Sequence, residues 1–149
     1  MSRASFILNE LFQKHYRFRK AQDASYGSIY KFKAEDGTNY EVEVNHFSRG
    51  RSSVLFTGAL PGSGYGTYGV LGGRANPQKV FSTVHHIIRQ HLQKHPEITS
   101  MHFSAYGQSR IKLYKHFLDR IAPHRQRKED DEAHGNFDVR REDVEEPIE

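Results

Sequence analysis

Residues 28–44 read SIYKFKAEDGTNYEVEV, and their alternation decides the fold. Tyr30 and Phe32 share one face, Tyr40, Val42 and Val44 share another such row, and Asp36-Gly37 between them reads as a two-residue primed turn. The stretch is therefore expected to be a β-hairpin. On its solvent face Lys31 and Lys33 would lie across from Glu41 and Glu43, where opposite charges favour pairing. A third strand follows over Ser53–Thr57, carrying Val54, Leu55 and Phe56.

Upstream, Phe6, Ile7, Leu8, Leu11, Phe12 and Tyr16 fall at helical spacing behind Ser5, which predicts an amphipathic helix over residues 5–18. Downstream, seven glycines between Gly58 and Gly73 make a long loop, with a short strand expected near Tyr68–Leu71. Asn76-Pro77 then reads as a cap and first helical residue. Val80, Phe81, Val84, Ile87, Ile88 and Leu92 form the stripe of a helix that should stop near Pro96. Met101, Phe103 and Ala105 alternate through a further strand. A last helix with Ile111, Tyr114, Leu118 and Ile121 on its inner face ends at Pro123. A helix between two strands makes them parallel. The expected fold is α+β, a mixed and mainly antiparallel sheet flanked by helices, in one domain over 1–123.

Residues 124–149 are expected to be a charged, loosely ordered extension, with only Phe137, Val139, Val144 and Ile148 as large apolar anchors. The charge divides at the same place. Residues 1–128 hold 20 Lys and Arg against 8 Asp and Glu, and residues 129–149 hold 2 against 10, so a body of +12 carries a tail of −8 within a chain of +4. A body so basic attracts polyanions, such as nucleic acid or a phosphate-bearing cofactor, or an acidic partner protein. The acidic tail can compete with them. The chain has no cysteine, which excludes disulfide scaffolds, thiolate metal sites and cysteine nucleophiles. No apolar run is long enough for a membrane span, and a soluble, cytoplasmic protein is the expectation.

Gly72 and Gly73, then Arg74 and the helix start at Asn76, Gln78 and Lys79 bring free N–H groups, a positive dipole end and a guanidinium together. That is the composition of an anion site. It is neither a GxxxxGK[ST] nor a GxGxxG loop, so nucleotide hydrolysis and dinucleotide binding are not indicated. His46 and His102, on or beside strands, are the candidates for general-base work. His85, His86 and His116 read as solvated. His91 and His95 stand four apart on one helix, but no Glu follows His91 and no third ligand is spaced nearby, so no metal is expected. None of these features sets an oligomeric state.

Residues 79–121, with VFSTV at 80–84, FSA at 103–105 and SRIKLY at 109–114, resemble a family of small tailed-bacteriophage proteins. The same segment is similar to the central part of the GNAT acetyltransferase fold. That likeness implies acetyl-coenzyme A as cofactor, its pyrophosphate over residues 72–79, an amine as acceptor, and Tyr114 as the acid that reprotonates the departing thiolate. Counted from Arg74, Pro77 and Lys79 stand where the GNAT loop has glycine and glycine or alanine. Proline removes one N–H donor there. The alternative class is a noncatalytic protein that binds nucleic acid or a host protein through its basic body.

Overall fold

The computed structural model describes residues 15–59, 77–104, 108–125 and 135–145. Six strands form one sheet in simple sequence order: β1 (Phe18–Ala24), β2 (Gly27–Lys33), β3 (Asn39–Ser48), β4 (Arg51–Ala59), β5 (Ser100–Ser104) and β6 (Asn136–Arg140). Every neighbouring pair is antiparallel except β4 and β5, which are joined through helix α1 (Pro77–Lys94). Helix α2 (Gln108–Ile121) follows β5, and the short α3 (Arg141–Glu145) follows β6. The expected α+β class and mixed, mainly antiparallel sheet are what the structure has.

The β2–β3 hairpin turns differently from the sequence expectation. Lys33 pairs with Asn39 and the Ala34 N–H donates to the Thr38 carbonyl at 3.0 Å, so three residues, Glu35-Asp36-Gly37, make the turn. The Gly37 N–H donates to the Ala34 carbonyl at 3.0 Å, and Gly37 takes the left-handed φ of 88° that closes such a turn. The physical reason is register. This turn sets Tyr30 opposite Val42 and Phe32 opposite Tyr40, whereas a turn one residue shorter would put both aromatics opposite glutamates. On the outer face Lys31 meets Glu41 as expected, but Lys33 meets Asn39 and Glu43 meets Ile29.

Among the described residues, one face of the sheet carries the core. Tyr30, Phe32, Tyr40, Val42, Val44, Val54, Phe56, Met101, Phe103, Phe137 and Val139 are buried there against Val80, Val84, Ile87, Ile88, Leu92, Tyr114, Phe117 and Leu118. Each fully buried side chain of this size contributes about 1.5–3 kcal/mol. Phe81 of α1 and Phe117 of α2 lie 5.5 Å apart, so the two long helices share that face. The helix expected over 5–18 is not what residues 15–18 form: they are irregular and then enter β1. Hydrogen bonding to the free edge of β2 outweighs a helical pattern there.

Residues assigned to the loose tail also prove structured. Asn136–Arg140 pairs along the whole of β5, and Phe137, Val139 and Val144 are at most 1% exposed. Among the described residues, its acids Asp138, Glu142 and Asp143 lie outside the core, half-buried or exposed. No helix among the described residues is long and apolar enough to cross a membrane.

Candidate functional site

The parallel ladder between β4 and β5 runs from Arg51 opposite Ser100 to Val54 opposite Phe103 and stops, while β4 continues to Ala59. Beyond that point the N–H of Phe56 donates to the Tyr114 hydroxyl at 3.0 Å instead of to a strand. Tyr114 is fully buried, its ring edge-on to Phe103 at 5.7 Å, and its hydroxyl also lies 3.4 Å from the Phe56 carbonyl. An α2 side chain thus satisfies the backbone of a strand that has outrun its partner. Crossover topology brings the N-terminus of α1 to this same end of the sheet, where open α/β sheets place ligands.

The predicted site residues are only partly brought together. Gly72, Gly73, Arg74 and Asn76, like the strand expected at 68–71, lie outside the described residues. Gln78 is exposed in the first turn of α1. Lys79 turns onto Tyr16, its ammonium 4.5 Å from the ring centroid. His102 is separated from Tyr114 by the sheet itself. Phe103 faces the helices, so its neighbour His102 projects from the opposite face, where its Nδ1 lies 2.8 Å from the Asp138 carboxylate. A base on one face and an acid on the other cannot serve one reacting atom, so His102 does not act with Tyr114.

The chain matches no protein-family model, no curated protein and no solved structure.

A second cluster joins residues that no local spacing brings together. His46 on β3, His91 in the last turn of α1 and His95 just beyond it each bring one ring nitrogen within 4.8 Å of the others. The third imidazole that His91 and His95 lacked comes from 45 residues upstream, at 2.8 Å between the Nε2 atoms of His46 and His91. The signal was available: His46 extends the Tyr40, Val42, Val44 row, and His91 extends the Val84, Ile87, Ile88 stripe. Burial pushes the His91 imidazolium down to about 3, with repulsion from His95 and His46 adding to it. His91 is therefore neutral.

His85, expected to be solvated, is buried with its Nε2–H donating to the Val144 carbonyl at 3.0 Å. It docks α3. Burial holds its pKa below the ordinary value, the hydrogen bond opposing and Arg89 assisting. The folded state thus binds fewer protons than the unfolded chain once pH falls below the unfolded histidine value of about 6.5. Stability present above that pH is lost as it falls, with a slope from this residue of at most about 1.4 kcal/mol per pH unit. Urea titrations between about pH 7 and pH 5 should show this slope reduced in His85→Gln, which keeps a donor without the charge; an unchanged slope would clear His85.

Proposed function

We propose that the chain is an acetyltransferase-like protein that passes an acyl group from a coenzyme A thioester to an amine. The observation that supports it best is the end of the β4–β5 ladder, where the Phe56 N–H and the Tyr114 hydroxyl meet with no strand between them. A thioester carbonyl inserted there takes the Phe56 N–H as an oxyanion donor, a group already fixed in direction before any charge develops. The amine lone pair attacks the carbonyl carbon, the C–S bond breaks, and Tyr114 gives its phenolic proton to the leaving sulfur. Tyr114 regains a proton from the ammonium formed on the product. The α1 N-terminus carries no acidic residue in its first turn, so the charge of its positive end suits the coenzyme phosphates.

Isothermal titration of acetyl-coenzyme A into the full chain tests binding, and heat at micromolar ligand is the expected result. For the chemistry, Tyr114→Phe keeps the ring and should lower turnover by about 100-fold or more while changing coenzyme affinity little. The same variant leaves the Phe56 N–H unanswered and should cost about 1–3 kcal/mol of stability. A stability loss without a turnover loss would make Tyr114 a core residue only.

A second reading, polyanion binding, has its own observation. Arg19 and Lys31 stand directly opposite one another across β1 and β2, both exposed, with Glu41 beside Lys31 on β3. Like charges in register repel unless an anion joins them. No heat with acetyl-coenzyme A, together with oligonucleotide binding that weakens steeply with salt, would favour this reading over the first.

A further inference from the structure

We propose that His46, His91 and His95 form a binding site for a zinc-class divalent cation, at the end of the fold opposite the Tyr114 hydroxyl. The proposal is independent of the acyl-transfer reading. Three imidazoles are the donor set that suits zinc and its first-row neighbours, and a fourth position left to solvent completes a tetrahedron. The rings are already assembled: His91 and His95 stack at 4.3 Å between centroids, and His46 stands edge-on to His95 at 4.8 Å.

What separates this cluster from a chance meeting of histidines is how the outer nitrogens are held. The Tyr30 hydroxyl lies 2.8 Å from Nδ1 of His91, so the nitrogen that His91 turns to His46 is Nε2. With a metal on Nε2, His91 would carry its proton on Nδ1 and donate it to the Tyr30 oxygen. His95 is arranged alike, its Nδ1 3.1 Å from the Glu97 carboxylate, which leaves Nε2 as the nitrogen free to ligate. An outer carboxylate or hydroxyl that fixes the tautomer is the ordinary support of a histidine metal ligand.

The distances ask for modest movement. Zinc–nitrogen bonds of ~2.0–2.1 Å put tetrahedral ligand atoms about 3.3 Å apart. His46 and His91 at 2.8 Å must open by about half an ångström, and no pair exceeds 4.8 Å. Without metal, one proton joins Nε2 of His46 and Nε2 of His91 at 2.8 Å; with metal, that proton moves to Nδ1 of the ring that carried it. His46 also lines a cleft of about 510 Å³ with Ser48, Arg49, Gly50, Arg51 and Glu97, through which the ion and a fourth, water or anionic, ligand arrive. Asp23 and Glu97 supply the nearby negative charge, with Lys20 opposing it from 3.4 Å beyond Asp23. Arg141 occupies the α1 carbonyls, so imidazole nitrogens rather than helix carbonyls meet the ion.

The test is zinc sulfate titrated into the full chain, read by calorimetry and by melting temperature, with cobalt absorption reporting geometry. One ion per chain at micromolar affinity, a rise in melting temperature and a tetrahedral cobalt spectrum are expected. Because the chain has ten histidines, the variants carry the argument. His46→Ala, at a half-buried site tolerant of truncation, should abolish the rise in melting temperature. Tyr30→Phe, which keeps the ring, should weaken binding about 10- to 100-fold. His116→Ala, on the exposed side of α2, should change nothing. Absence of zinc binding, or affinity retained in His46→Ala, overturns the site; unchanged affinity in Tyr30→Phe overturns the role given to Tyr30.

Discussion

Phe137→Ala is expected to lower the free energy of unfolding by about 3–5 kcal/mol, and removal of residues 129–149 to abolish cooperative unfolding altogether. Phe137 is completely buried opposite Phe103, and Val139 opposite Met101, so β6 seals the end of the core that α1 and α2 cover. Deleting the segment exposes the outer edge of β5 and uncovers Met101 and Phe103 together. It also removes Val144 from His85. The summed loss is comparable with the roughly 5–15 kcal/mol that a domain of ordinary size possesses. Urea denaturation followed by circular dichroism and tyrosine fluorescence would measure both. A truncated chain that unfolds with an undiminished midpoint would contradict the burial seen here. The acidic segment, which composition reads as a mobile competitor for polyanions, is in residues 135–145 a part of the fold, and its deletion cannot be used to free a basic surface without unfolding it.

Arg141→Ala is expected to cost about 3 kcal/mol, with Arg141→Lys recovering only part. The Arg141 guanidinium donates to three carbonyls at and just beyond the end of α1, those of Leu92, His95 at 3.0 Å and Ile98 at 2.8 Å, and its backbone N–H donates to the Thr99 carbonyl at 2.9 Å. The Leu92 and His95 carbonyls also accept the backbone N–H groups of His95 and Ile98, and an added hydrogen bond from a charged donor is worth about 1.5–3 kcal/mol. One planar fork serves carbonyls that point in different directions. An ammonium has the charge but not the spread of donors. Thermal melts of the two variants against the parent check this, and a lysine variant as stable as the parent would reduce the contact to charge alone. Since His95 is one of the residues held, Arg141→Ala should also loosen zinc binding, a coupling that calorimetry can follow.

The elements legible from the residues are those whose own pattern suffices. The β2–β3 hairpin, α1 from Pro77, β5 around Met101 and Phe103, and α2 up to Pro123 each repeat apolar side chains at one clear period between breakers, and each stands where that pattern puts it. β1 and β6 were not legible. Phe18 is the only large apolar side chain of β1, and β6 shows two such residues between two runs of acids, at 129–132 and 142–146. Both are strands because a neighbour offers an open edge, a property of β2 and β5 rather than of their own sequences. The β2–β3 turn shows the same limit at finer scale. Asp36-Gly37 announces a turn, but its length followed from which aromatic rows had to face the helices.

The candidate sites divide along the same line. Tyr114 was visible as an inward residue of a helix, and its hydroxyl was known to need a partner; that the partner is the Phe56 backbone depended on where the β4–β5 ladder ends. His102 and Tyr114, attractive together in one dimension, are parted by the pleat, which sends adjacent strand residues to opposite faces. His91 and His95 declared a shared helical face, and His46 a strand face, each from local period alone. Periodicity therefore determined which side of its own element every one of these residues takes. Only the packing of α1 across the sheet decided that three of them meet, because that contact is set by side chains filling one core from both layers, and no local spacing encodes the distance between elements far apart in the chain.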